Sequence, residues 1–454
     1  MGRNAFNDKN YKLSDYLKFI LPSLFGIILL MFPINYGGKT TIFVAVFADF
    51  MTTTFADIIP TIVLSFIGIT AIISLLHKFF RFVAIDNSDY FKSIFDVSLP
   101  WVIVRLIGFS IAFMTYFKIG PEWIQSDNTG GLILYDLIGS LFTMFFIAGF
   151  LLPLLTDFGL LEFMGALLTP IMRPFFNLPG RSSIDCVASW VGDGTIGVAL
   201  TNQQYIQGYY TLKEAAIIST TFSAVSITFC LVVLNQVGLT DYFGPYYLTI
   251  VLTGIAAAII MPRIPPLSKK NNTYFGGKSA DLGEDVPSGF SNFQWGTHLA
   301  IESARKNMSF SRFIKNGVMT ILDLWLSVLP AIMAFGTIGL IIAEYTPVFT
   351  WLGKPFIPLL NIMKVPYAEE ASKTIMVGFA DMFLPSVIGS TIPSEMTRFI
   401  VATLSVTQLV YLSEAGAVIL GSKIEISVLD LFLIYIERTL ISLPIVVIAA
   451  NIIF

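Results

Sequence analysis

The chain is divided by apolar runs of the length a membrane helix needs, about 20 residues. Nine such runs stand out: 15–35, 57–77, 99–118, 132–155, 212–236, 246–262, 316–344, 396–420 and 426–452. Composition agrees. Hydrophobic residues make up 55% of the chain and charged residues only 13%, against about 25% charged in a soluble globular protein. Mean hydropathy is +0.77, which also excludes disorder. The pattern predicts an all-α polytopic membrane protein with about nine transmembrane helices embedded in a lipid bilayer. A net charge of -3 gives no basic surface for nucleic acid. Two cysteines, Cys186 and Cys230, and two histidines, His77 and His298, supply neither a disulfide framework nor a His-based metal site or triad. Arg3, Lys9 and Lys12 precede the first run without a small-residue cleavage site after it, so that run reads as the first membrane helix.

Two further stretches are long enough to span but are broken. Residues 182–207 have Gly192-Asp193-Gly194-Thr195 at their centre; residues 370–392 have Gly378-Phe379-Ala380-Asp381, with Pro385 soon after. Irregular backbone at membrane depth survives only where protein buries it or water reaches it, so each stretch predicts a re-entrant helical hairpin. Lys and Arg counts set the topology. With the N-terminus inside, the inner segments 1–18, 77–99, 156–182 and 263–315 hold 17 basic residues, and the outer segments 36–56, 119–131, 237–245 and 345–373 hold 4. The C-terminus then lies outside. The polar insert 263–315 reads as a cytoplasmic linker.

Residues 140–236 can be laid on 324–420. Pro174 and Asn177 meet Pro358 and Asn361, Val191-Gly192 meets Val377-Gly378, and Thr221 and Ser223 meet Thr403 and Ser405. Each unit runs span, amphipathic Pro-rich stretch, broken hairpin, Ser/Thr-rich span. The first hairpin starts from the inside and the second from the outside, so the repeat is inverted, as in many secondary transporters. The expected division is 1–131 as N-terminal helices, 132–262 as the first repeat, 263–315 as linker and 316–454 as the second repeat.

A hairpin followed by a Ser/Thr-rich helix, here twice, resembles the Gate (nucleoside-recognition) domain. The whole chain resembles the YjiH group of bacterial Gate-domain membrane proteins. The unit is shared with concentrative nucleoside transporters, ferrous-iron permeases and spore-maturation membrane proteins. The resemblance implies a bacterial cytoplasmic membrane protein and a homo-oligomer whose interface is formed by the first three spans. Concentrative nucleoside transporters carry Gly-Gln-Thr-Glu in the first hairpin, where this chain has Gly192-Asp193-Gly194-Thr195. The Gln and Glu that hold a nucleoside are missing here, which leaves the scaffold untouched and the substrate open.

Ionisable groups within spans are functional candidates by default. Asp193 and Asp381 sit at the two hairpin breaks, where each either holds a cation or caps the second arm. Glu414 lies within 396–420 and Glu395 opens it. Thr221, Ser223, Thr403, Thr407 and Gln408 crowd the helices after the hairpins, as solute or sodium ligands or as packing groups. Ser189, Gly192, Gly194, Thr195, Asn202, Gly378, Ser390, Thr391 and Tyr411 complete the candidate set. Arg105 and Arg438 read as structural ion-pair partners, and Asp136 and Asp323 lie early in the spans before the hairpins. The predicted function is secondary active transport of a small polar organic solute, nucleoside-like or amino-acid/peptide-like. It runs by alternating access and is coupled to H+ or Na+, with sodium at the hairpin tips as one option. No cofactor is expected, and no phosphate-binding loop of the Gly-x-x-x-x-Gly-Lys-Ser/Thr type is present. The alternatives are a non-transport partner like the spore-maturation Gate proteins, or a metal-ion permease, with Met376 and Met382 beside the second tip. The chain is not expected to be an enzyme.

Overall fold

A computed structural model describes residues 11–454 apart from 37–38, 193, 223–224, 226, 278, 281–285 and 307–309. The protein is an all-α membrane protein. Seven described helices are long and apolar enough to span: Leu13–Leu30, Ile59–Phe80, Leu99–Phe117, Leu132–Thr156, Thr240–Arg263, Ser311–Tyr345 and Val428–Ile453. A short antiparallel strand pair, Pro33–Tyr36 with Lys39–Ile42, follows the first helix. The expected spans 212–236 and 396–420 are not continuous helices. The first divides into Leu212–Ile217, a π-helical turn Ile218–Phe222, and Ile227–Gln236. The second divides into Glu395–Thr407 and Ala415–Gly421.

The described chain forms two compact units. The first gathers Met1–Phe47, Phe145–Ser226 and Ala258–Ile321. Its hairpin descends as Ser182–Val187 and Ala188–Gly192 and returns as Gly194–Ile206. The arms touch because position 197 lacks a side chain: a Cβ there would stand 1.7 Å from the Ser189 hydroxyl. The preceding amphipathic helix, Leu160–Phe176, ends at Asn177 in the left-handed conformation, a usual C-terminal stop. The insert after 263 is more than a linker. Its helix Asn292–Lys306 buries Ala300, Ile301 and Ala304 and packs on Leu160–Phe176 and Leu13–Met31. Gly159, at φ +95°, admits the close approach, since a Cβ there would lie 2.3 Å from the Ala300 carbonyl oxygen. An Arg305–Asp15 ion pair at 2.6 Å ties the insert helix to the N-terminal helix.

The second unit gathers Ala48–Met144, Ile227–Ala257 and Leu322–Phe454. Ile59–Phe80, Leu99–Phe117 and Leu329–Tyr345 form its packed set, and each starts with a proline in its first turn, where no backbone N–H is needed. Small residues let these helices approach, as is usual in membranes. Arg105 is buried on Leu99–Phe117 and donates to the Ser74 hydroxyl at 2.6 Å and the Ile94 carbonyl at 2.8 Å. The second hairpin consists of Ala368–Val377 and Leu384–Gly389. The last helix, Val428–Ile453, starts with a Ser427/Asp430 capping box and packs along Glu395–Thr407.

Two glycines of this unit should respond oppositely to alanine. At Gly108 a Cβ would come within 2.3 Å of the Pro330 carbonyl oxygen; at Gly139 the nearest atom is 3.9 Å away. Gly108→Ala should lower the melting temperature in detergent, with an overpacking cost of about 1–3 kcal/mol. Gly139→Ala should leave it unchanged or raise it, since alanine is the better helix former.

Candidate functional site

The helix after the second hairpin stops at Thr407 and resumes at Ala415. Backbone groups freed by such a break need partners, and in hydrocarbon each unmet group costs several kcal/mol. The partners come from the break in the hairpin. The Leu412 N–H donates to the Phe379 carbonyl and the Ser413 N–H to the Ala380 carbonyl, both at 2.9 Å. Two interrupted segments more than 30 residues apart in sequence thus cross and pair.

The crossing lies against a glycine face of Leu329–Tyr345. A Cβ at Gly336 would meet the Ser413 Cα at 3.4 Å, and one at Gly339 the Leu412 Cβ at 3.3 Å. Behind it, the last helix supplies polar support. The Tyr435 hydroxyl donates to Gln408 Oε1 at 2.6 Å and also bonds the Ile375 carbonyl. Gln408 Nε2 donates to Ile375 O at 3.2 Å and Thr439 Oγ1 at 2.8 Å. Arg438 is fully buried and its Nε donates at 2.8 Å to the Thr407 carbonyl, at the end of the interrupted helix. Gly378 fits beneath this cluster; a Cβ would stand 2.5 Å from the Tyr435 hydroxyl.

In front of the crossing is a half-open cavity of about 680 Å³. Asp381 and Glu414, one from each break, line it with Ser413; Asp136, Ser140, Glu344 and Asn128 add polar groups, and Phe229, Met382 and Phe383 are among its apolar walls. Asp381 is held firmly. Its Oδ1 accepts from the Phe383 and Leu384 N–H groups at 2.8 and 3.1 Å, and its Oδ2 accepts from Ser413 Oγ at 2.8 Å. The capping role and a cavity-facing position therefore coincide in one carboxylate. Asp136 sits on a π-helical turn, Leu132–Leu137, a local widening that often marks functional sites. The four carboxylates are spread over the wall: among the described residues, no three His, Cys, Asp or Glu side chains are grouped to hold a metal ion.

Of the residues singled out in the sequence, Asp136, Asp381, Met382 and Glu414 line this cavity. Glu414 lies in the break, not on a helix as expected, because the chain leaves the helix at Thr407. Ser390 and Thr391 donate to the carbonyls of Val387 and Ile388 in their own turn. Glu395 is exposed, 3.6 Å from Arg398. Thr403 and Thr407 donate back to the carbonyls four residues earlier, and the Tyr411 hydroxyl donates to Ser405 O at 2.7 Å. In the first unit Ser189, Thr195 and Asn202 are buried in the hairpin, between whose arms Gly192 and Gly194 lie at the turn, and Thr221 donates to Ile217 O. Asp193 and Ser223 lie outside the described residues. That unit too joins hairpin to broken helix: Trp190 Nε1 donates to Phe222 O at 3.0 Å. Glu344 and Ser140 went unread; the only signal for Glu344 was a carboxylate at the end of an apolar run.

A family model described as nucleoside recognition, the Gate domain, matches residues 138–240. This covers the first hairpin and its broken helix, and it includes Ser140, Phe229 and Val232 of the cavity wall. An uncharacterized protein of Alkalihalophilus pseudofirmus is 46% identical over 441 residues, spanning 97% of this chain and 95% of its own length.

Asp381 gives a direct test of the capping geometry. Asp381→Ala removes the acceptor for two backbone N–H groups and should cost about 1 kcal/mol, the usual loss of a cap. Asp381→Asn retains a capping oxygen and should melt within about 0.5 kcal/mol of the parent. Melting of both variants in the same detergent decides it.

Proposed function

The chain belongs to the Gate-type, nucleoside-recognition membrane proteins, and from that premise we propose that it is a secondary transporter of small organic solutes bearing a cationic ammonium group. The observation that carries this reading is the cavity at the crossed breaks. Its volume suits a small organic molecule. Asp136, Glu344, Asp381 and Glu414 line it, no Lys, Arg or His does among the described residues, and the remaining wall is largely apolar. Such a wall complements an ammonium on an apolar body, the amino-acid- or peptide-like half of the expected substrate range. A neutral nucleoside makes no use of the negative charge of Asp136, Glu344 and Asp381, in keeping with the absence of the nucleoside-binding Gln and Glu from the first hairpin.

In this reading the seven continuous helices and the two broken ones make nine crossings, with the hairpins re-entrant between them. Residues 132–262 and 316–454 form inverted repeats that alternate access. The protein resides in a bacterial cytoplasmic membrane with the N-terminus inside and the C-terminus outside. Leu329–Tyr345 then ends on the outer side, and the cavity, with Glu344 near its mouth, opens outward. Residues 1–131 serve as scaffold and homo-oligomer interface. Energy comes from an H+ or Na+ gradient. The carboxylates hold solute and ion; they perform no bond chemistry.

The test is ligand stabilisation of the full-length protein in lipid nanodiscs, with an amino-acid amide, a dipeptide and uridine as probes. An amine that fits should raise the melt in proportion to ln(1 + [L]/Kd), about 2.7 kcal/mol at a hundredfold excess over Kd. Asp381→Asn and Glu414→Gln should each abolish that shift. A shift from uridine alone would overturn the choice of solute. No shift from any probe, together with a co-purifying chain, would favour the partner-protein reading.

A further inference from the structure

The first hairpin contains a carboxyl group that the cavity does not use. Asp185, on the first arm, is 1% exposed. Its hydrogen-bond partner is Thr201 on the returning arm, whose Oγ1 lies 3.0 Å from Asp185 Oδ2. Asp185 Oδ1 is buried without a partner. The buried Tyr210 hydroxyl stands beside it. Among the described residues, no cation lies within ion-pair distance of Asp185. The neighbouring charges also face other groups, although the charge of Arg181 reaches Asp185 as well. Arg181 faces Glu162 at 3.8 Å and stacks over the Tyr209 ring at 3.5 Å. Glu214, which faces Tyr210, pairs with Arg173 at 2.6 Å. Cys186 is the remaining titratable neighbour.

An ionised Asp185 would be a buried charge with no cation at ion-pair distance among the described residues, a costly arrangement. The Thr201 hydroxyl has one hydrogen and two acceptors in range: Asp185 Oδ2 at 3.0 Å and the Gly197 carbonyl at 2.9 Å. We infer that Asp185 is held as the neutral acid and is the group that takes up and releases the coupling proton. One O–H bond forms at Oδ2 from a solvent proton, and no electrons move. The acid then donates to Thr201 Oγ1, the Thr201 hydrogen is free for the Gly197 carbonyl, and the Tyr210 hydroxyl turns to Oδ1. Every member of the chain gains a partner, and no uncompensated charge stays buried. The coupling role rests on the transport reading above; the protonated carboxyl stands without it.

Infrared spectroscopy of the full-length protein in nanodiscs reads this directly. The parent should show a protonated-carboxyl C=O band at neutral pH that disappears on alkalinisation. Asp185→Asn should lack that band yet melt near the parent, because the Asn amide donates where the acid did. Thr201→Val, which removes the acceptor, should shift the band and so decides the matter if Asp185→Asn fails to fold. A band unchanged in both variants overturns the proposal. So does stabilisation of the parent, but not of Asp185→Asn, by sodium with no change in the band. In proteoliposomes a pH gradient should drive uptake of an amino-acid amide by the parent. Asp185→Asn should retain only exchange at equal pH. If the parent moves no probe, the transport reading fails, and the band still decides Asp185.

Discussion

A broken helix in hydrocarbon is stable only if its freed N–H and C=O groups find partners within the protein. In the second unit that requirement is met where residues 379–380 and 412–413 pair through their backbones. Much of the surrounding sequence follows from it. Gly336 and Gly339 are bare because the crossing rests on them. Gln408 and Tyr435 take up the Ile375 carbonyl at the end of one half-helix, and Arg438 takes the Thr407 carbonyl at the end of another. Arg438, expected to be an ion-pair partner, donates its Nε hydrogen to this carbonyl. Asp381 performs the same service at the start of the returning arm. Its oxygens are fixed by three hydrogen bonds, so the charge it presents to the cavity is preorganised.

The apolar runs made the membrane class legible, and the seven continuous helices fall where those runs do. The interruption between Ala368–Val377 and Leu384–Gly389 was legible as well, because Gly, Asp and Pro mark places where a helix is easily interrupted. The breaks in the following helices were not. Residues 408–414 read Gln-Leu-Val-Tyr-Leu-Ser-Glu, with no glycine or proline. Leu409 nevertheless takes φ +65°, a conformation that costs a branched side chain of this kind about 1–2 kcal/mol. The compensation comes from a segment 30 residues away, and no local pattern encodes it. The Ser/Thr enrichment that suggested ligands is mostly explained within the helices. Ser219, Thr220, Thr221, Thr403 and Thr407 each donate to a carbonyl one turn back. In the insert at 263–315, the polar composition conceals the small apolar face of Asn292–Lys306, which is enough to dock a helix.

The polar groups of the two units differ in ways that composition does not reveal. In the second unit the carboxylates border open space: Asp136 and Glu344 are exposed, and Asp381 and Glu414 are half-buried. Water can solvate them, so they can remain charged in an empty cavity. In the first unit Asp185 has no such access, and the hydroxyl groups of Thr201 and Tyr210 stand beside it, with Arg181 beyond ion-pair distance. Hydroxyls can donate or accept, so they accommodate either protonation state by turning. Arginine cannot reverse in this way. A carboxyl meant to change its charge is better placed among Thr and Tyr than in an ion pair.

This contrast bears on how a transport cycle would be ordered. Moving an acid-lined cavity out of contact with water exposes its carboxylates to a poor solvent, at a cost of several kcal/mol for each charge left unpaired. A bound ammonium offsets one such charge, so on the transport reading the loaded cavity closes more easily than the empty one. The same argument runs oppositely for Asp185. It is already out of water, so it tolerates the neutral acid and resists the anion. Loss of its proton therefore raises the energy of the very packing that buries it, and the hairpin gains a reason to open when the proton leaves. On the transport reading, coupling needs no direct contact between solute and proton. It needs only that each biases the arrangement of a broken segment, and in both units the hairpin is bonded to the broken helix that follows it.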